Sequence, residues 1–342
     1  MSFQTMLVRL MMKLPPGLLV KMSGGRPVQL GGRTLDPHFQ FLAHGASKQP
    51  PMSSLSPQDA RAASAAGLAM LDAPLPADVT AEDDTIPLAD RNVPIRVYRP
   101  AGQDPNMPLM VFYHFGGGVI GDLETCHAFC GLLASVCKGP VISVDYRLAP
   151  EHKWPAGLDD AVEAYEWALK HAEDFDAPPG MAAIGGDSMG GNFAAIVAQD
   201  MKRDHKPQPV LQLLIYPATD VQSETASMRV YGETYPLSKD TMDWFMEQYV
   251  PEGADPNDPR LSPLHETNLE TLAPAIVITA GFDPLVDQGK AYADRLNDAG
   301  VDTQYRCYDH LGHGFTAFMG ASPAAAKACR EIAHLVKDAL KS

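Results

Sequence analysis

Residues 186–190, Gly-Asp-Ser-Met-Gly, place Ser188 between an apolar, strand-like run (MAAIG) and a helix-like run (NFAAIVAQDM). Glycines two residues to either side let a tight strand-to-helix turn form and present the serine hydroxyl at the edge of a sheet. Such a hydroxyl becomes a nucleophile only beside a base, and the base needs a group that orients it. Downstream, Asp283 follows the run PAIVITA and His313 follows TQYRCYD. Serine, acid and then histidine, each after a strand, is the chain order this arrangement demands. Asp287 is the rival acid, but four residues on it falls inside the next predicted helix. His310 is the rival base. His310 and His313 together lack a third ligand in sequence reach, so they do not make a zinc site. A turn serine of purely structural use is the plain alternative, and the strand–turn–helix context speaks against it.

A second stretch, YHFGGGVIGD at 113–122, follows the apolar run PLMVFYH and spells G-x-G-x-x-G at Gly116, Gly118 and Gly121. One reading is a cradle for a dinucleotide's phosphates, with Asp145 at the end of the next strand holding a ribose hydroxyl. However, Asp122 and Glu124 occupy the place where a pyrophosphate would lie, and like charges there are unfavourable. The other reading is a loop of bare N–H groups aimed at a developing oxyanion. Gly116 and Gly117 would supply two donors that no side chain obstructs, and Met189, next to the nucleophile, a third. The glycines are therefore assigned to an oxyanion. Ser135 and Lys138 fit S-x-x-K, but no K-T-G partner exists in the chain, so they are read as the end of an ordinary helix.

The elements that must position these residues can be read from the same sequence. Strand-like runs occur near 86–99, 108–114, 140–146, 181–186, 210–216, 274–280 and 303–309. Amphipathic helical patterns such as AVEAYEWALKHAEDF and SPAAAKACREIAHLVKDAL lie between or after them. Continuous apolar strands alternating with helices predict an α/β fold, a mostly parallel sheet covered on both faces. Almost sixty residues between Tyr216 and Pro274 break that rhythm. Their stripe Met242, Phe245, Met246 and Tyr249 predicts a helix that packs on the body and lines a pocket. With 342 residues, 27 Lys and Arg against 42 Asp and Glu give a net charge of −15, which excludes nucleic acid as a partner. The five cysteines, including the pair Cys126 and Cys130, read as free thiols in a reducing cytoplasm. The N-terminal apolar stretch is interrupted by Arg9, Lys13, Pro15 and Pro16, which predicts an amphipathic helix lying on the protein, not a signal peptide. No window is long and apolar enough for a membrane span.

Taken together, HFGGGVIGDLET, DYRLAPEHKWPA, GDSMGGN, DPLVDQG and HGF resemble the hormone-sensitive-lipase-like family of α/β-hydrolases, the group-IV bacterial carboxylesterases. The resemblance runs from about residue 80 onward, with five motifs in order. It implies an eight-stranded sheet with a helical cap formed by residues 1–50 and 217–261, around a catalytic domain of 51–216 and 262–342. It implies hydrolysis of short to medium acyl esters by a monomer or homodimer, with no metal or organic cofactor. Ser188 is then the nucleophile, His313 the base and Asp283 the orienting acid, with Gly116, Gly117 and Met189 as oxyanion donors. Asp145, Arg147 and Glu151 would support the loop carrying His114, a brace and not a proton carrier. An amidase or acyltransferase would use the same triad; a nicotinamide-dependent oxidoreductase and a non-catalytic small-molecule receptor are the remoter alternatives. The chain departs from the family's H-G-G-G-aromatic run, because Phe115 and Gly118 have exchanged those places. Phe115 carries a Cβ that is penalised at φ > 0, so a reshaped loop is expected, with a pocket wall lost at Gly118 and gained at Phe115.

Overall fold

A computed structural model describes residues 3–341. A short hairpin, β1 (Gln29–Leu30) and β2 (Arg33–Thr34), precedes the main sheet. That sheet contains β3 (Val79–Pro87), β4 (Asn92–Pro100), β5 (Leu109–Tyr113), β6 (Val141–Val144), β7 (Ala182–Asp187), β8 (Gln212–Ile215), β9 (Ala275–Phe282) and β10 (Thr303–Gly312). Its spatial order is β10-β9-β8-β7-β5-β6-β4-β3. The six strands from β10 to β6 pair in parallel, while β4 runs antiparallel to both β6 and β3. The helices are α1 (Phe3–Met11), α2 (Pro16–Met22), α3 (Pro37–Ala46), α4 (Pro57–Leu71), α5 (His127–Cys137), α6 (Ala156–Lys170), α7 (Met189–Arg203), α8 (Ala226–Tyr231), α9 (Lys239–Tyr249), α10 (Val286–Asp298) and α11 (Pro323–Ala339). The fold is the eight-stranded, mostly parallel α/β architecture expected from the sequence.

Because side chains alternate along a strand, each central strand feeds two cores. On β5, Leu109, Val111 and Tyr113 join one apolar cluster with residues of α6, α7 and α10. Met110 and Phe112 join the other, with residues of α5 and α11. All five are buried, which is why the run contains no polar residue. β3 forms one edge, and its exposed Glu82, Asp83 and Asp84 discourage pairing with another chain. From β5 the chain passes to β6 on one side and later to β7 on the other, so the order reverses between β5 and β7. A crevice opens at the C-terminal ends of parallel strands at such a reversal. The loops after β5, β7, β9 and β10 all emerge on that edge.

Two local features precede the core helices. After the glycine loop, α5 begins only at His127, following a turn tied by Asp122 and Thr125. The Pro/Ser/Ala-rich passage 50–76 contains the fifteen-residue α4. Ser56 accepts from the Asp59 N–H and Pro57 stands at the first helical position, which together start that helix.

Candidate active site

Ser188 stands between β7 and α7 with φ 54° and ψ −114°, a backbone conformation that a serine adopts only under constraint. The surroundings supply that constraint. The Ser188 N–H donates to the Ile215 carbonyl at 2.9 Å, and its own carbonyl accepts from Asn192 and Ala218. A Cβ on Gly186 would collide with the Gly190 carbonyl, and one on Gly190 with the carbonyls of Tyr113 and His114. The turn can therefore close only if both positions lack a side chain. The hydroxyl that results is mostly enclosed, with 8% of the residue exposed.

His313 and Asp283 come to it from two neighbouring strands. His313 Nε2 lies 2.9 Å from Ser188 Oγ, and His313 Nδ1 lies 2.7 Å from Asp283 Oδ2. The three are 188, 283 and 313 in sequence, yet they form one line because β7, β8, β9 and β10 are successive neighbours. Asp283 is fully buried and also accepts from the Leu285 N–H at 2.8 Å, which fixes its carboxylate against the imidazole. This geometry would let an imidazole that keeps Nδ1–H on the carboxylate take a proton from the serine at Nε2. The rivals lie elsewhere: Asp287 accepts from the Ser227 N–H, and the exposed His310 contributes its carbonyl to Asp36 N–H. Among the described residues no group of three His, Cys, Asp or Glu is placed to hold a metal.

The glycine loop covers the same crevice. Gly116, Gly117 and Gly118 all have positive φ, while Phe115 does not. The steric penalty expected at Phe115 is thus avoided, because the left-handed stretch begins one residue later. Phe115 is half-buried and packs against the cluster on the α5/α11 face. The N–H groups of Gly116, Gly117 and Met189 make no backbone hydrogen bond among the described residues, which leaves them available to a ligand. Beside the loop, His114 is completely buried and stacked on Tyr146 with ring centroids 4.3 Å apart. Its Nδ1–H donates to the Phe115 carbonyl at 2.7 Å, and burial lowers its pKa to about 4, so it stays neutral as a brace.

Several supports come from DYRLAPE and from α4. Tyr146 OH donates to the His114 carbonyl at 2.7 Å, and the Ala149 N–H to the Gly118 carbonyl at 2.8 Å. Arg61, on α4, donates to the carbonyls of Val119 and Ala149 and pairs with Glu151, whose carboxyl it holds down at about 2. Arg147 instead pairs with the buried Asp160. Asp145 is pushed up to about 6 by burial, with Asp122 nearby adding to the effect.

The segment after β8 closes the site from above. The Phe245 ring of α9 lies where a Cβ on Gly117 would be, and the Tyr249 ring where one on Gly118 would be. The space beside Gly118 is therefore filled by the Tyr249 ring. From the N-terminal segment, Phe39 of α3 packs on Gly312 and on Phe318, with 4.8 Å between the two rings.

Sequence reasoning passed over Asp187. This carboxylate, fully buried beneath Ser188, accepts from Tyr216 OH at 3.0 Å, Thr316 Oγ1 at 2.7 Å and Cys126 Sγ at 3.4 Å. Burial raises its pKa to about 6. Tyr216 in turn packs its ring 4.7 Å from that of His313. The network ties the serine turn to the loop that carries the base. Its sequence signal was an acid at the end of an apolar strand run, next to Ser188.

A family model described as alpha/beta hydrolase fold matches residues 110–317. The carboxylic ester hydrolase LipN of Mycobacterium tuberculosis is 44% identical over 306 residues, which cover 86% of this chain and 80% of that protein. An ethyl acetate hydrolase of Pseudomonas putida is 39% identical over 226 residues, 65% of this chain and 71% of its own. Among solved structures, an ester-hydrolase from the metagenome of Lake Arreo, complexed with a bipyridine phosphonate derivative, superimposes with a TM-score of 0.86 at 39% identity. That match covers 90% of this chain and 100% of the other. A thermostable esterase from Pseudomonas putida gives 0.85 at 31% identity, covering 90% and 98%.

Proposed function

The chain belongs to the α/β-hydrolase family, in its hormone-sensitive-lipase-like branch, and from that premise we propose that it is a serine carboxylesterase for short to medium acyl esters. The observation that supports this most is the unbroken contact from Asp283 through His313 to the Ser188 hydroxyl, at 2.7 and 2.9 Å. In the proposed reaction Ser188 Oγ attacks the ester carbonyl as its proton passes to His313 Nε2. Asp283 stabilises the imidazolium that forms and holds its orientation. The N–H groups of Gly116, Gly117 and Met189 receive the oxyanion, each worth ~3 kcal/mol in comparable sites. His313 then protonates the departing alcohol, and water repeats the sequence on the acyl-enzyme. No step requires a metal or organic cofactor.

The limit on chain length rests on α9. Phe245 and Tyr249 stand over the glycine loop and narrow the space beside the oxyanion donors. Residues 1–50 and 217–261 are proposed to act as one cap. The test is a series of p-nitrophenyl esters from acetate to palmitate. Highest kcat/KM among the short and medium members supports the reading; preference for palmitate, or turnover of none, refutes it.

A further inference from the structure

Of the nine large apolar side chains left exposed among the described residues, seven lie between Met6 and Leu30. On α1, Met6, Leu7 and Leu10 face outward, Leu10 with 63% of its surface exposed. Leu18 and Met22 do so one turn apart on α2, and Val28 and Leu30 do so at the hairpin. Val230 of α8 is also exposed and stands beside the hairpin turn at Gly31. The first helix does lie on the protein, as expected, with Val8 and Met12 turned inward, yet these other apolar side chains face outward. The inner side of the segment is already fastened. Met12 and Leu19 are buried, Arg9 donates to the carbonyls of Ala69, Met70 and Asp72 at the end of α4, and Gln40 bonds to Ser23, Arg26 and Val28. The apolar surplus points outward because the inward positions are occupied.

The charge of the same segment is opposite to that of the rest of the chain. Its first 35 residues hold five of the 27 Lys and Arg and none of the 42 Asp and Glu. Lys13, Lys21 and Arg26 are exposed and have no ionic partner among the described residues. Exposed Leu and Met interleaved with unpaired bases make a surface suited to the headgroup–acyl boundary of an anionic lipid layer. A second copy fits less well, since a two-fold contact would set these bases against themselves. We propose that α1, α2 and the β1–β2 hairpin form a docking face for anionic lipid surfaces, with the acidic remainder turned away. No helix among the described residues is long and apolar enough to cross a membrane, so the contact is with the surface. The helix that follows the hairpin, α3, carries Phe39 onto Gly312, beside His313. Docking would therefore set the covering of the candidate site against the layer in which apolar esters dissolve.

The test is flotation of the full chain with vesicles of phosphatidylglycerol and phosphatidylcholine in equal parts, and with vesicles of phosphatidylcholine alone. Flotation with the mixed vesicles only, weakening as salt rises, is expected. The variant Lys13→Glu/Lys21→Glu/Arg26→Glu should lose affinity by on the order of a hundred-fold, about five-fold or more for each charge. Leu7→Ser/Leu10→Ser should also reduce flotation. The thermal unfolding midpoint followed by circular dichroism serves as the folding control for both variants and should be unchanged. Absence of flotation at low salt overturns the proposal. So does a self-association seen by sedimentation without lipid that Leu7→Ser/Leu10→Ser abolishes, which would assign the face to a second copy.

Discussion

The serine turn and the glycine loop both depend on glycine, but different atoms impose it. At Gly186 and Gly190 the obstacles are backbone carbonyls of Gly190, Tyr113 and His114, which no substitution elsewhere removes. At Gly117 and Gly118 the obstacles are the rings of Phe245 and Tyr249, which are side chains of the covering segment. The turn that holds the nucleophile is thus fixed by the main chain of the sheet. The space over the oxyanion donors is set by residues that can vary without disturbing the sheet. On the proposed reading, chemistry sits on the invariable half and selectivity on the adjustable half.

The largest effect should come from the fixed half. Ser188→Ala should lower kcat by on the order of 10⁴–10⁶ with little change in Tm; retention of more than a few per cent of turnover would place the nucleophile elsewhere. Next, Gly190→Ala should cost on the order of 3 kcal/mol or more in stability, because a Cβ meets backbone on two sides. Gly118→Ala carries about 1–2 kcal/mol of backbone strain plus its clash with Tyr249, and Tyr249→Ala should relieve the clash. A double-mutant cycle read by urea unfolding separates the cases: favourable coupling is expected for the 118–249 pair, and its absence would contradict the contrast.

The brace offers a pH test of intermediate size. His114 titrates near 4 when folded and near ~6.5 when unfolded, so the unfolded chain takes the proton first. Its contribution is present above pH ~6.5 and is lost as pH falls toward 4, to a total of about 3 kcal/mol. Asp187, raised to about 6 by burial, acts in the opposite direction, since its folded form takes up a proton sooner. His114→Gln should therefore flatten the acid side of the stability curve relative to wild type; parallel curves would remove the brace from the explanation. The smallest effect belongs to the adjustable half. Phe245→Ala should move the acyl-chain optimum toward longer esters by about ten-fold in relative kcat/KM, while turnover of acetate stays within a few-fold. An unchanged profile would show that α9 does not bound the pocket.

Much of this was legible because the informative residues obey local rules. Ser188 was visible from its flanking glycines, and Asp283 and His313 from their places after apolar runs. β5, β7 and β9 were visible because strands buried on both faces are almost purely apolar. What escaped notice depends on contacts remote in sequence. Arg61 lies in an alanine-rich helix with little apolar periodicity, and nothing nearby reveals that it spans to Val119 and Glu151. Tyr249 takes up the space above Gly118 from a separate segment, so the exchange of Phe115 and Gly118 looked like a lost wall. Asp187 was hidden by its own motif, where attention falls on the serine, and its partners Tyr216 and Thr316 belong to other loops.

The central claim is that the Ser188 hydroxyl is the atom that becomes acylated. Its most direct test is reaction with a p-nitrophenyl phosphonate followed by peptide mass mapping, with residual esterase turnover measured in the same samples. Modification of Ser188 alone, in proportion to the turnover lost, is the expected result. A fully labelled Ser188 with turnover intact, or loss of turnover with the label on another residue, would contradict it.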